Sequence, residues 1–137
     1  TQAIAAIETD DIAALTTAQV AAMTTNQIKA LATNQVVALT TAQTASLKTA
    51  QLLAFSTNQL RALETTDFAA LTTAQLVVLL TSQISSLSTA HIAAITTSQI
   101  SSLSTNQLTA FTSSQINALS TAQISAMTSA QKKIIGY

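Results

Sequence analysis

The chain has 137 residues, of which 7% are charged and 3% aromatic, with zero formal net charge, one glycine, no proline and no cysteine. Neutrality gives no electrostatic pull toward nucleic acid or anionic lipid, so neither nucleic acid nor a membrane surface is an expected partner. The missing cysteine excludes a disulfide framework, a thiolate nucleophile and a cysteine-bound metal. No run approaches the roughly 18 apolar residues of a membrane span, and no signal-peptide layout is read in the chain.

Threonine and serine together supply more than a quarter of the chain, set in a 48% hydrophobic background dominated by alanine. Self-comparison shows why, because one period of eight residues runs through the whole chain. One aliphatic recurs at Ile12, Val20, Ile28, Val36, Leu52 and on to Ile124, and a second follows three residues later at Leu15, Met23, Leu31, Leu39 and on to Met127. The unit reads I-x-A-L-T-T-x-Q. A small residue such as Ala14, Ala22 or Ser46 sits before the second aliphatic, which predicts close backbone approach. The residue after the first aliphatic drifts through Lys29, Val37, Leu53, Arg61 and Asn117, which predicts a solvent-facing position.

A single long helix does not fit this period. At about 100° per residue, eight residues leave the apolar stripe roughly 80° out of register per repeat. A β-solenoid needs period-two alternation and corner residues that are absent here. The remaining solution is all-α: a solenoid or superhelix of very short helices, one per octad. Residues 1–131 form the single solenoid domain and residues 132–137 its C-terminal end segment. Helices of this length are unstable alone, so the octads must stack, burying about thirty large apolar side chains worth about 1.5–3 kcal/mol each.

In chain order, the first complete octad carries Asp10 and Asp11, and Asp11 stands where later octads have Gln. The segment from Glu8 to Gln19 returns from Glu64 to Gln75 with ten of its twelve positions identical, an offset of seven octads. Asp11 and Asp67 replace the Gln near a helix start, where the local dipole favours an anion. Two carboxylates without Gly or Asn around them make a poor calcium loop. Each Thr/Ser pair is a helix breaker and N-cap. In one register the first residue caps and Thr16-x-x-Gln19 is a capping box. That position also holds Ala32, Lys48, Glu64 and Leu80, whereas the second is Thr or Ser in all sixteen octads from Thr9 to Ser129. The second residue is therefore the expected N-cap, leaving Gln19 and its equivalents to bond a neighbouring turn.

The unit from Leu15 to Met23, L-T-T-A-Q-V-A-A-M, resembles the Thr/Gln-rich octapeptide arrays of very large secreted or cell-surface proteins of bacteria, a resemblance that covers the whole chain. It implies a structural or adhesive role and an extracellular or surface location. The same stretch is also similar to the start of the repeat in TAL effectors, L-T-P-E-Q-V-V-A-I, but the second helix, the base-reading pair and the basic charge of those DNA binders are missing here.

Farther along, Leu76 to Leu80 is an apolar run where other octads have Ala, Ser or Thr. With Val37 and Leu53 at the drifting position, Val77 and Leu80 mark a candidate self-association surface, joined at the end of the array by Ile134 and Ile135. His91, the only histidine, replaces a Gln and has only Ser and Thr near it in sequence, so it reads as a hydrogen-bonding stand-in for Gln. The Met and Phe residues occupy core positions, and Arg61 and Glu64 have the spacing of a surface pair. Lys132 and Lys133 put charge where the next aliphatic is due.

No catalytic residue, cofactor site or metal site, and no small-molecule substrate, is read from the chain. The expectation is a non-enzymatic stalk, filament or spacer that self-associates as a homo-oligomer or end-to-end filament. The alternative is an ice- or carbohydrate-surface binder using a regular Thr array, weakened if capping occupies the more constant Thr of each pair.

Overall fold

The computed structural model describes residues 2–137. Among them seventeen α-helices of four to seven residues follow one another from α1 (Gln2–Ala5) to α17 (Ser129–Ile135), those after α1 being one for each of the sixteen octads. The all-α solenoid expected from the period is what forms.

Helix boundaries follow from the hydroxyl pair, but in the register opposite to the expected one. The first residue of each pair is the N-cap and the second opens the helix. In α3 (Thr17–Ala22), Thr16 is the cap: its Oγ1 accepts the N–H of Gln19 at 3.2 Å, while Gln19 Oε1 accepts the Thr16 N–H at 2.8 Å. This reciprocal arrangement satisfies two of the N–H groups that a helix start leaves free. The variable caps are tolerated because half of the arrangement does not need a side chain there. At Ala32, Lys48 and Leu80 the backbone N–H still donates to Gln35, Gln51 and Gln83 at 2.6–2.9 Å.

All the helices before α17 stop without glycine. Leu15, closing α2 (Thr9–Ala14), has φ −60° and ψ 140°, and Thr16 after it has φ −71° and ψ 156°. Two extended residues thus reverse the chain between helices. Among the described residues every φ is negative except that of Gly136, at 87°, which ends α17. An ordinary L-residue adopts these extended angles at no steric cost, so a chain with one glycine and no proline can turn after every octad.

Each helix packs on the one three places on: α3 on α6 (Thr41–Ser46), α6 on α9 (Thr65–Ala69), and α9 on α12 (Thr89–Ala94). The chain therefore coils, with three to four octads per turn. Both aliphatics of the octad face the axis. The first is 0–1% exposed from Ile12 to Leu108 and the second 2–8% from Leu31 to Met127. Leu15 and Met23 in the first turn, and Ile116 and Ile124 in the last, are half-buried because the coil covers them from one side only. Phe55, Phe68, Phe111 and Met127 fill the core as expected, and Met23 lies at its margin. The small residues Ala38, Ala54, Ala62 and Ala110 pack against that core, and the drifting positions Lys29, Val37, Leu53, Arg61 and Asn117 are exposed.

Candidate functional site

The polar feature that organises the molecule is a column of buried glutamines. From Gln35 onward the Gln of each octad is 1–4% exposed, an environment that an amide occupies only when its hydrogen bonds are met. Its oxygen is used within the octad, as described. Its nitrogen reaches back one turn of the coil. Gln43 Nε2 donates to the carbonyls of Ile12 at 2.9 Å and Leu15 at 2.7 Å, and Gln59 Nε2 to those of Ile28 at 2.9 Å and Leu31 at 2.7 Å. The carbonyl acceptors lie 28 and 31 residues earlier. The shorter spacing, 28 residues, is three and a half octads, and with helices packing three places on, the seven-octad block copy spans about two turns.

One side chain thus joins the N-terminus of one helix to the C-terminal carbonyls of a helix in the turn before. Short helices leave most of their backbone groups without internal partners, and the glutamine meets that need at both ends. Both readings of the Gln hold together: it completes the capping box and it bonds the neighbouring turn.

Two buried positions of this column are not glutamine. His91 reproduces the amide. Its Nε2 lies 2.9 Å from the Leu63 carbonyl, 28 residues earlier, and because a carbonyl can only accept, Nε2 carries the hydrogen. The Ser88 hydroxyl bonds Nδ1 and accepts the His91 N–H at 3.2 Å. The ring edge meets Phe68 with centroids 5.2 Å apart at 81°. Both ring nitrogens are therefore engaged, as the reading of His91 as a Gln substitute requires.

Asp67 does not reproduce it. Its side chain is 6% exposed, and Oδ1 accepts a hydrogen bond from Thr41 Oγ1 at 2.6 Å. A carboxylate has no donor for the carbonyl one turn back, and Glu64, the N-cap of α9, makes no side-chain cap bond. Asp11, by contrast, is exposed in the first turn of α2. Among the described residues no group of three or more His, Asp or Glu side chains gathers as a metal site.

Of the residues expected to mark self-association, Val37, Leu53, Val77, Leu80 and Ile134 are 41–51% exposed. Ile135 is not available for such a contact. It is 6% exposed, because it takes the place of the second aliphatic of its octad, and Lys132 takes that of the first. Within the apolar run Leu76 and Leu79 are core, and only Val77 and Leu80 lie on the surface. Leu53 and Val77 hold the same octad position on α7 (Thr49–Ala54) and beside α10 (Thr73–Leu76), two helices that pack together, whereas Val37 lies in a different part of the coil.

One buried feature escaped the sequence reading. Thr44 occupies the first aliphatic position of its octad at 0% exposure, and its hydroxyl has no hydrogen-bond partner. The gap at residue 44 in the run of aliphatics was its signal.

No helix is long and apolar enough to cross a membrane among the described residues. No curated relative and no solved structure matches the chain. The family described as the ALTTAQ repeat matches residues 4–41, 37–73, 60–97, 92–121 and 100–132, overlapping segments that together run almost end to end. Each matched segment covers about four to five of the octads described above, and the chain belongs to the ALTTAQ repeat family.

Proposed function

We propose that the chain is a non-enzymatic structural segment, a stalk, filament or spacer of a bacterial surface or secreted protein. The observation that carries this reading is the glutamine column. From Gln35 onward every octad but that of Asp67 commits a buried side chain to joining successive turns, and even the single histidine reaches the Leu63 carbonyl in this way while its other ring nitrogen bonds Ser88. A molecule in which every unit repeats one axial joint gains length with each unit added, as solenoids do.

The same joints support end-to-end growth. The amides of Gln19 and Gln27 lie in the first turn and reach no earlier carbonyl among the described residues, and no amide there reaches the carbonyls of Phe111, Leu119 or Met127 in the last. A further octad in the same register, from the same polypeptide or a second copy, supplies the missing halves. Negative-stain electron microscopy of the purified chain across a concentration series is the test. Filaments that lengthen with concentration are expected if copies dock by their ends. Short rods of one length at every concentration would restrict the role to a spacer within a longer chain.

A further inference from the structure

The octad position that the fold does not use is the one that varies least. The N-cap hydroxyl accepts the N–H of the third helical residue, yet Ala32, Lys48, Leu80, Glu8 and Glu64 all replace it. The residue after it, first in the helix, is Thr in fourteen octads and Ser in two, from Thr9 to Ser129. Thr9 and Thr65 are half-buried and Thr41 bonds Asp67. The other thirteen are exposed, with no hydrogen bond to their hydroxyls among the described residues. The first helical position accepts most residue types, so neither capping nor packing accounts for a hydroxyl in every unit.

Direction around the coil narrows what does. A turn takes three to four octads, so these hydroxyls face outward on all sides. A planar lattice such as ice or crystalline polysaccharide touches one side and would constrain only the octads on it. A requirement met by every octad belongs to an event that takes place at each unit separately. The neighbouring residue is small throughout, from Ala18 and Asn26 to Ala130, and leaves room around each hydroxyl, on a surface where charged side chains are sparse.

We propose that the hydroxyls at the first helical position, such as Thr17, Thr25, Thr33 and Thr57, are attachment sites for O-linked sugars. The reading rests on the coil and not on end-to-end docking. A separate glycosyltransferase supplies the sugar from a nucleoside-diphosphate sugar. The threonine Oγ1 attacks the anomeric carbon, the bond from that carbon to the diphosphate oxygen breaks, and the diphosphate departs with the electron pair. The hydroxyl proton passes to a base of the transferase, and no oxidation or reduction occurs. The N-cap hydroxyls lie in the capping box, where an added sugar would displace the N–H they accept. The attached sugars hydrate a surface poor in charge and hold neighbouring rods apart.

The test is site-resolved mass spectrometry of the chain purified from cells that make it, with electron-transfer fragmentation to keep sugars in place. The expected result is sugar-mass increments on the first helical residues, with N-caps such as Thr16 and Thr24 bare. An intact mass equal to that of the bare polypeptide overturns the proposal, as do increments shared equally between the two hydroxyls of each pair. Thermal hysteresis given by a bare chain would assign the hydroxyls to ice instead.

Discussion

The side-chain nitrogen of Gln43 lies 2.7 Å from the carbonyl oxygen of Leu15, 28 residues before it, and this contact holds one turn of the coil to the next. The same joint at Gln83 is a clean place to break. Gln83 Oε1 accepts the Leu80 N–H, and Nε2 donates to the carbonyls of Leu52 at 3.1 Å and Phe55 at 2.9 Å. Gln83→Glu keeps the acceptor, loses both donors and buries a charge against two carbonyl oxygens, at an expected cost of about 3 kcal/mol or more. The loss shrinks toward about pH 4, where the new carboxyl is protonated and regains a donor. Urea unfolding at the two pH values measures it, and equal stability of variant and parent at neutral pH would remove the joint from the account.

The two hydroxyls of one pair are expected to differ in value. Thr96 caps α13 (Thr97–Ser102), accepting the Gln99 N–H at 3.2 Å, while Thr97 beside it is exposed and bonds nothing. Thr96→Ala is expected to cost about 1 kcal/mol, and Thr97→Ala to stay within about 0.5 kcal/mol of the parent. Thermal unfolding of the two variants compares them directly, and the reverse ranking would restore the other capping register.

Thr44 is a site for improvement. Valine has nearly its shape, and Thr44→Val removes a buried hydroxyl without a partner while leaving a methyl against the core. A gain of about 1–2 kcal/mol is expected, seen as a higher midpoint in urea. A lower midpoint would mean that the hydroxyl does bond in solution.

Asp67→Gln is expected to repair the column. The longer amide gains an acceptor for the Glu64 N–H and donors for the carbonyls of Leu39 and Val36 in the turn before, at the loss of the Thr41 bond. Hydrogen exchange of the helices around residues 36–39 and 65–69 should slow in the variant. Unchanged or faster exchange there would show that Asp67 joins the turns as well as glutamine does.

The exposed apolar surface at Val77 and Leu80 gives a test of lateral contact between molecules. Val77→Ser with Leu80→Thr is expected to shift the chain toward smaller species on a sizing column if this surface is where copies meet. An unchanged elution profile over the same concentrations excludes it.

Much of this architecture is legible in the sequence because the period is unbroken. Eight residues cannot keep a stripe on one long helix, and that arithmetic, with the missing strand alternation, leads to short stacked helices with Ile28 and Leu31 inward and Lys29 and Arg61 outward. The capping register reads wrongly from sequence for a physical reason. Constancy of the second hydroxyl suggests structural need, whereas the cap at Ala32 survives on the glutamine half of the box, so the structure forgives variation where it is most engaged. The number of octads per turn is not legible at all. It is set by which carbonyl Gln43 reaches across space, and no local spacing within an octad records a partner 28 residues away.

A turn of three to four octads governs how such an array can evolve in length. Inserting a single octad turns everything downstream by about a quarter to a third of a revolution, so surface features on either side of the insertion no longer share a side. Duplicating seven octads adds about two revolutions and returns later side chains close to their former compass bearing. The copied segment that begins at Glu8 and begins again at Glu64 is an increment by which the rod can lengthen with little rotation of what it carries.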